Sequence, residues 1–148
     1  IVLGILLSFF ITLAVYTLMS ASNKTKLTKD DMKKTAQLLK NLPGMAYQAF
    51  NRTNRPMIFV SEGCMLLTGH SKKQFEKHNI LWGKLIHPRD YERVCQTINH
   101  ALKTKRLFEL EYRIITKNND VRLIWERGEP VSSIVNDDFI IEGFITDI

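Results

Sequence analysis

Apolar and charged residues alternate without a break from Phe108 to Ile114. Phe108, Leu110, Tyr112 and Ile114 point one way, and Glu109, Glu111 and Arg113 the other, which predicts a strand over about 107–116 with one wet face. The run turns at "KNND", resumes over 121–135, turns again at "NDD" and ends in a third strand over 139–147. In the middle strand, "IWERGEPV" places a buried-looking Trp125 beside Glu126, Arg127 and Glu129. The charges are expected on the solvent face or at the strand ends. If the last hairpin closes by pairing Val135 with Phe139, Arg127 falls opposite Asp147 with Trp125 nearby.

Upstream, "GMAYQAF" and "PMIFVSEG" are short strand candidates separated by the turn-rich "NRTNRP". "EGCMLLTG" reads as a helical turn or two closed by Gly69. Ser71 can cap the helix of "SKKQFEKHN", and "ILWGKLI" is short and apolar. The clearest helix is "HPRDYERVCQTINHALKTK". His87 is its cap, Pro88 suits its first turn, and Val94, Ile98, Ala101 and Leu102 line one face. Two strands, several short helices, one long helix and three strands make an α+β fold with the helices gathered on one face of an antiparallel sheet.

Residues 1–19, "IVLGILLSFFITLAVYTLM", carry no charge. At about 1.5 Å per residue such a helix spans roughly 28 Å, close to the bilayer core, so residues 1–20 are expected to form a transmembrane helix. Lys24, Lys26, Lys29, Lys33, Lys34 and Lys40 follow it, opposed only by Asp30 and Asp31. Most of the chain's net charge of +6 is therefore local to residues 21–41. The positive-inside rule then places the rest on the cytoplasmic side of the inner membrane. The basic stretch lacks base-reading or stacking residues, which argues against nucleic acid as a partner. Leu27, Met32, Ala36 and Leu39 recur at helical spacing, so residues 21–41 read as a juxtamembrane helical linker stopped by Pro43-Gly44.

Catalytic and metal chemistry find little support. His87 and Asp90 could be drawn as an acid–base dyad, but their spacing at a helix start suits a cap and a first-turn carboxylate. His70, His78 and His100 have no partners at metal-ligand spacing. Cys64 and Cys95 form no CxxC and fit two ordinary thiols.

Six stretches in order resemble a PAS domain of the common bacterial signalling subtype: "LPGMAY" at 42–47, "FVSEGCMLLTGHS" at 59–71, "LIHPRDYERV" at 85–94, "FELEYRI" at 108–114, "WERGEPV" at 125–131 and "EGFITDI" at 142–148. The resemblance covers residues 42–148 and implies a five-stranded antiparallel sheet with helices over one face, often around a small pocket. Related sequences often carry a second Trp where this chain has Leu123, and they continue past the position of Ile148 with an output helix. The chain is therefore expected to be a fragment of a larger receptor. The residues support no enzyme in this fragment; the resemblance implies a homodimer, and the helix at 27–39 is the expected contact.

Haem-binding relatives ligate through a His in the long helix. His100 lies near that helix's end and the usual ligand position falls near Arg93, so haem is disfavoured. "KHNILWGKLIH" lacks the reactive Cys motif of flavin-binding relatives. What remains is a pocket for a small molecule of unknown identity, with Phe59, Leu66, Phe108, Leu110 and Tyr112 as candidate lining residues on the helix-facing side of the sheet. Trp125, Arg127 and Asp147 are the signal-relay candidates. Two functions follow: a sensor or relay module passing a signal to a histidine kinase or diguanylate cyclase, or a ligand-free dimerisation and spacer module.

Overall fold

The computed structural model describes residues 29–31, 33–35, 37–38, 40–135 and 138–148, with 132–135 and 138 described by their backbone alone. The chain divides into two compact units, Ile1–Leu38 and Leu39–Ile148. The described residues of the first unit are helical, and Thr35 Oγ1 donates to the Asp31 carbonyl one turn back at 2.9 Å. The expected membrane helix at 1–20 and the seam at Leu27, Met32, Ala36 and Leu39 lie outside the described residues. Among the described residues no helix is long and apolar enough to cross a membrane.

The second unit contains five strands: β1 (Met45–Phe50), β2 (Met57–Val60), β3 (Phe108–Ile115), β4 (Val121–Val135) and β5 (Asp138–Asp147). All pairings are antiparallel and the sheet order is β2-β1-β5-β4-β3. Between β2 and β3 run four helices: α1 (Cys64–Thr68), α2 (Lys72–Glu76), α3 (Trp82–Leu85) and α4 (Pro88–Thr104).

Local signals place these helices. Gly69 closes α1 in the left-handed region at φ 80°, where a side chain would be strained. A capping box opens α2: Ser71 Oγ accepts from the Gln74 amide, and Gln74 Oε1 accepts from the Ser71 amide at 2.9 Å. At the start of α4, His87 Nδ1 accepts from the Arg89 amide at 3.2 Å and Pro88 occupies the first turn. Asp90, next in that turn, accepts from Arg113 Nε at 2.8 Å, from its Nη2 at 2.6 Å and from its backbone amide at 2.9 Å. His87 and Asp90 therefore cap the helix and fasten it to β3. Arg113's hydrogen bonds hold the Asp90 carboxyl well below the usual range, against the opposing effect of desolvation.

One core lies between the helices and one sheet face. Met45, Tyr47 and Ala49 of β1, Phe108, Leu110, Tyr112 and Ile114 of β3, and Ile141 and Ile145 of β5 meet Leu67, Phe75, Trp82, Val94, Ile98 and Leu102 from the helices. Each fully buried large side chain contributes roughly 1.5–3 kcal/mol of transfer free energy.

A buried carboxylate and the cavity beside it

β4 reverses the expected facing at its centre. Ile124, Glu126 and Gly128 point into the core, while Trp125, Arg127 and Glu129 point outward. Glu126 is wholly buried, and Trp125 is half-buried on the outer face. A lone buried carboxylate would be costly, so its partners are the informative feature.

Three side chains converge on Glu126. Arg55 Nη2 donates to Oε1 at 2.5 Å and Nη1 to Oε2 at 3.2 Å. The Tyr47 hydroxyl donates to Oε1 and the Tyr112 hydroxyl to Oε2. Trp82 Nε1 extends the network by donating to the Tyr112 hydroxyl at 2.9 Å. The guanidinium of Arg55 also lies 5.3 Å from the Tyr47 ring centre. Burial alone would raise the Glu126 carboxyl. The Arg55 charge and the hydrogen bonds from Arg55, Tyr112 and Tyr47 outweigh it and hold the group below its ordinary value. Burial first, and the Glu126 charge second, push both tyrosines well above theirs. The cluster is thus one carboxylate, one guanidinium and two neutral phenols.

Each partner comes from a different element. Tyr47 and Tyr112 lie at inward positions of β1 and β3, and Trp82 opens α3. Arg55 comes from the β1–β2 turn, where Asn54 and Arg55 both take the left-handed conformation, with φ 62° and 46°. That conformation is uncommon away from glycine. It turns the chain back so that the Phe50 amide meets the Pro56 carbonyl at 3.0 Å. Gly128 leaves the room the cluster needs: a Cβ there would lie 2.8 Å from the Tyr47 hydroxyl and 2.6 Å from the Phe108 ring.

Arg55 also lines a cavity of about 280 Å³ between the β1–β2 turn and α4. Asn51, Asn54, Tyr91, Cys95, Ile98 and Asn99 form much of its wall. The Nε–H of Arg55 is itself buried and has no hydrogen-bond partner among the described residues.

The five residues expected to line a pocket are not brought together. Phe108, Leu110 and Tyr112 are buried on the core face, but none lines this cavity. Tyr112 belongs to the Glu126 cluster instead. Phe59 lies opposite Gln48 and faces the outer side of the sheet. A register shift in the β1–β2 pairing puts Met57 and Val60, three residues apart, both inward and turns Phe59 out. Leu66 is 84% exposed on α1, because only Leu67 of that apolar pair reaches the core.

The expected Arg127–Asp147 pair does not form. The hairpin closes by pairing Val135 with Asp138, and a bulge between Val131 and Ile134 shifts the register further. Arg127 therefore stands opposite Phe144, and Asp147 opposite Ile124. Arg127 meets Glu109 at 3.4 Å, while Asp147 meets Arg122 at 3.8 Å. Arg122 Nη1 also donates to the Leu66 carbonyl at 2.7 Å, which ties the end of α1 to the end of β5.

On the outer sheet face, Phe59, Leu107, Trp125 and Phe144 line an open groove of about 630 Å³ edged by Arg127, Glu129 and Glu142. His100 is exposed near the end of α4, and the Arg93 guanidinium donates to the Glu111 carbonyl at 2.7 Å. Cys64 is buried, its thiol pushed up to about 11 by burial first and by the Glu62 charge second. Among the described residues no group of three or more His, Cys, Asp or Glu could hold a metal ion.

The family described as PAS fold matches residues 57–144, from the second strand to the last. This chain belongs to the PAS family. No curated protein matches it in sequence. Solved PAS structures share its fold at low identity. One, a PAS domain from a two-component sensor histidine kinase, is 11% identical, with a TM-score of 0.62 over 82% of this chain and 99% of that one. A PAS domain from Colwellia psychrerythraea is 19% identical, with a TM-score of 0.65 over 79% and 96%. The N-terminal domain of a diguanylate cyclase with a PAS/PAC sensor from Marinobacter aquaeolei is 16% identical, with a TM-score of 0.57 over 70% and 94%.

Proposed function

We propose that this PAS domain senses a small molecule in the cavity beside Arg55 and relays its presence through the sheet to an effector, a histidine kinase or a diguanylate cyclase. The observation that carries this reading is the double placement of Arg55. Arg55 lines the cavity, and its guanidinium is bonded to Glu126 on β4, the strand next to β5 in the sheet. A ligand that shifts the β1–β2 turn must strain or repack a buried ion pair, and buried pairs tolerate this poorly. Two arrangements of that pair would provide the balance a signal shifts. Asp147, held by Arg122, marks the end of β5 through which the output would leave.

In the same reading residues 1–20 anchor the protein in the inner membrane, the PAS domain lies on its cytoplasmic side, and the helix at 27–39 pairs two copies. Catalysis would belong to the effector.

The test is Cys95→Trp in the parent receptor. Cys95 lines the cavity and is only half-buried, so a large ring there fills the space with little disturbance of the core. Output should become independent of the stimulus while the melting temperature changes little. A variant that stays folded and responds normally would overturn sensing in the cavity. One observation favours the alternative, a ligand-free dimerisation and spacer module: the outer groove exposes Trp125, Phe144 and Leu107 together. In that case Trp125→Ser would dissociate the dimer and Cys95→Trp would be silent.

A further inference from the structure

Adjacent residues of the β1–β2 turn are held by bonds of two kinds. The Gly83 amide of α3 donates to the Asn54 carbonyl at 2.8 Å, and Arg55 reaches inward to Glu126. α3 comes so close that a Cβ on Gly83 would lie 2.5 Å from Asn54 Cα. The base of the turn is pinned separately. The Phe50 amide meets the Pro56 carbonyl at 3.0 Å, and the Asn51 amide meets the Phe139 carbonyl at 2.9 Å. The tip is therefore free to move as a unit while the base stays in the sheet.

Strain and desolvation oppose the closed form. Asn54 and Arg55 both stand in the left-handed region, at φ 62° and 46°, and an open tip would recover that cost. The Arg55 guanidinium gives up its water to pair with Glu126, and its Nε–H gains no acceptor among the described residues in exchange. Against this stands the loss of a counter-charge at Glu126, softened because the Tyr47 and Tyr112 hydroxyls stay with it. One peptide carries both holds. The carbonyl that meets Gly83 belongs to the unit joining Asn54 to Arg55, so a rotation that frees it also swings the Arg55 backbone.

We propose that residues 52–55 are a latch. In a minor state the Asn54 carbonyl leaves Gly83 and Arg55 leaves Glu126 in one step, as both residues relax to negative φ and the guanidinium passes to water. The inference rests on the sensing reading for its trigger: Asn54 and Gly83 both line the cavity, so an occupant that parts them opens the latch. Glu126 on β4 then loses its counter-charge, which is the second arrangement a signal needs.

The test follows hydrogen exchange in the full nitrogen-15-labelled chain at two sites, the Gly83 amide and the Nε–H of Arg55. The second is identified by its loss in Arg55→Lys. In the closed form the first is protected by its bond and the second by burial. A single opening predicts protection factors that agree within about threefold, both at least about tenfold below those of the central β5 amides and only weakly dependent on urea. Asn54→Val puts a β-branched residue at a left-handed position and should lower both together by about tenfold or more. Gly83 losing protection while Arg55 keeps it would mean that the turn frays without releasing the ion pair. Both sites exchanging in step with β5 would leave only global unfolding. Either result overturns the latch, as does a folded Asn54→Val with both sites unchanged. Should that variant fail to fold, the comparison of the two sites in the unaltered chain decides. The sensing reading is judged separately by Cys95→Trp. If the two sites open together but that variant responds normally, the latch stands without the cavity as its trigger. If they do not open together and the variant still uncouples the receptor, the cavity senses and the latch falls.

Discussion

The two faces of the sheet solve opposite problems with the same strand. Toward the core, β4 presents Ile124, Glu126 and Gly128; toward the outside it presents Trp125, Arg127 and Glu129. The inner charge is wholly buried and held by three elements at once, so its environment is fixed. The outer charges make loose contacts, such as Arg127 with Glu109 at 3.4 Å, and both of those side chains are about half exposed. Water screens the outer pair and it costs little to break, whereas the inner one has no solvent to fall back on. A carboxylate's effect on this domain is set by which face it points to.

The largest effect should follow from removing one partner of the inner pair. Arg55→Met leaves Glu126 buried with no counter-charge and only the two tyrosine hydroxyls as partners, and should destabilise the domain by about 3–5 kcal/mol in urea denaturation. Adding Glu126→Leu to that variant should restore much of the loss, since a well-packed apolar pair can match a buried ion pair. A double variant as unstable as the single would mean that packing, not charge, holds the site.

Next come the phenols. Tyr112→Phe removes a hydrogen bond to Glu126 and the acceptor for Trp82 Nε1, and should cost about 1.5–3 kcal/mol. Tyr47→Phe removes one hydrogen bond and should cost less. Equal and negligible losses would show that the cluster is not cooperative.

Acid sharpens the comparison. Glu126 and Asp90 both have carboxyls held below their ordinary values. A depressed folded-state pKa contributes stability that is full above the unfolded value and lost as pH falls through the folded one. Thermal stability should therefore decline steadily as pH drops below the usual carboxylate range of about 4. Asp90→Asn should flatten part of that decline, read from melting temperatures over the acid range. A stability that rises on acidification would contradict both assignments.

The smallest effect belongs outside. Arg127→Ala should change stability by no more than about 0–1 kcal/mol, with the difference shrinking further in high salt.

How far the sequence foretold this depends on the element. β3 was legible because its apolar and charged positions alternate without exception, and its inward set is the one expected. The caps of α2 and α4 were legible because they depend on residues within one turn. The Glu126 cluster was not. Residues 124–128 offer Ile, Trp, Glu, Arg and Gly, and hydrophobicity favours the phase that buries Trp125. The phase of Ile124 and Gly128 was the available signal, and it buries Glu126. Arg55 lies 71 positions earlier in a turn, so no local pattern could link it to Glu126. Phe59 and the Arg127–Asp147 pairing failed for a shared reason. Register irregularities in β1–β2 and β4–β5 shift facing and partners, and alternation counts cannot see them.

The most direct test of the central claim is the carbon-13 shift of the Glu126 side-chain carboxyl, followed through a pH titration of the folded domain. A paired carboxylate predicts an ionised signal at neutral pH, with a midpoint below the value of about 4.3 typical of free glutamate. A protonated signal near neutrality, or a midpoint well above that value, would show that burial prevails over Arg55 and would contradict the account.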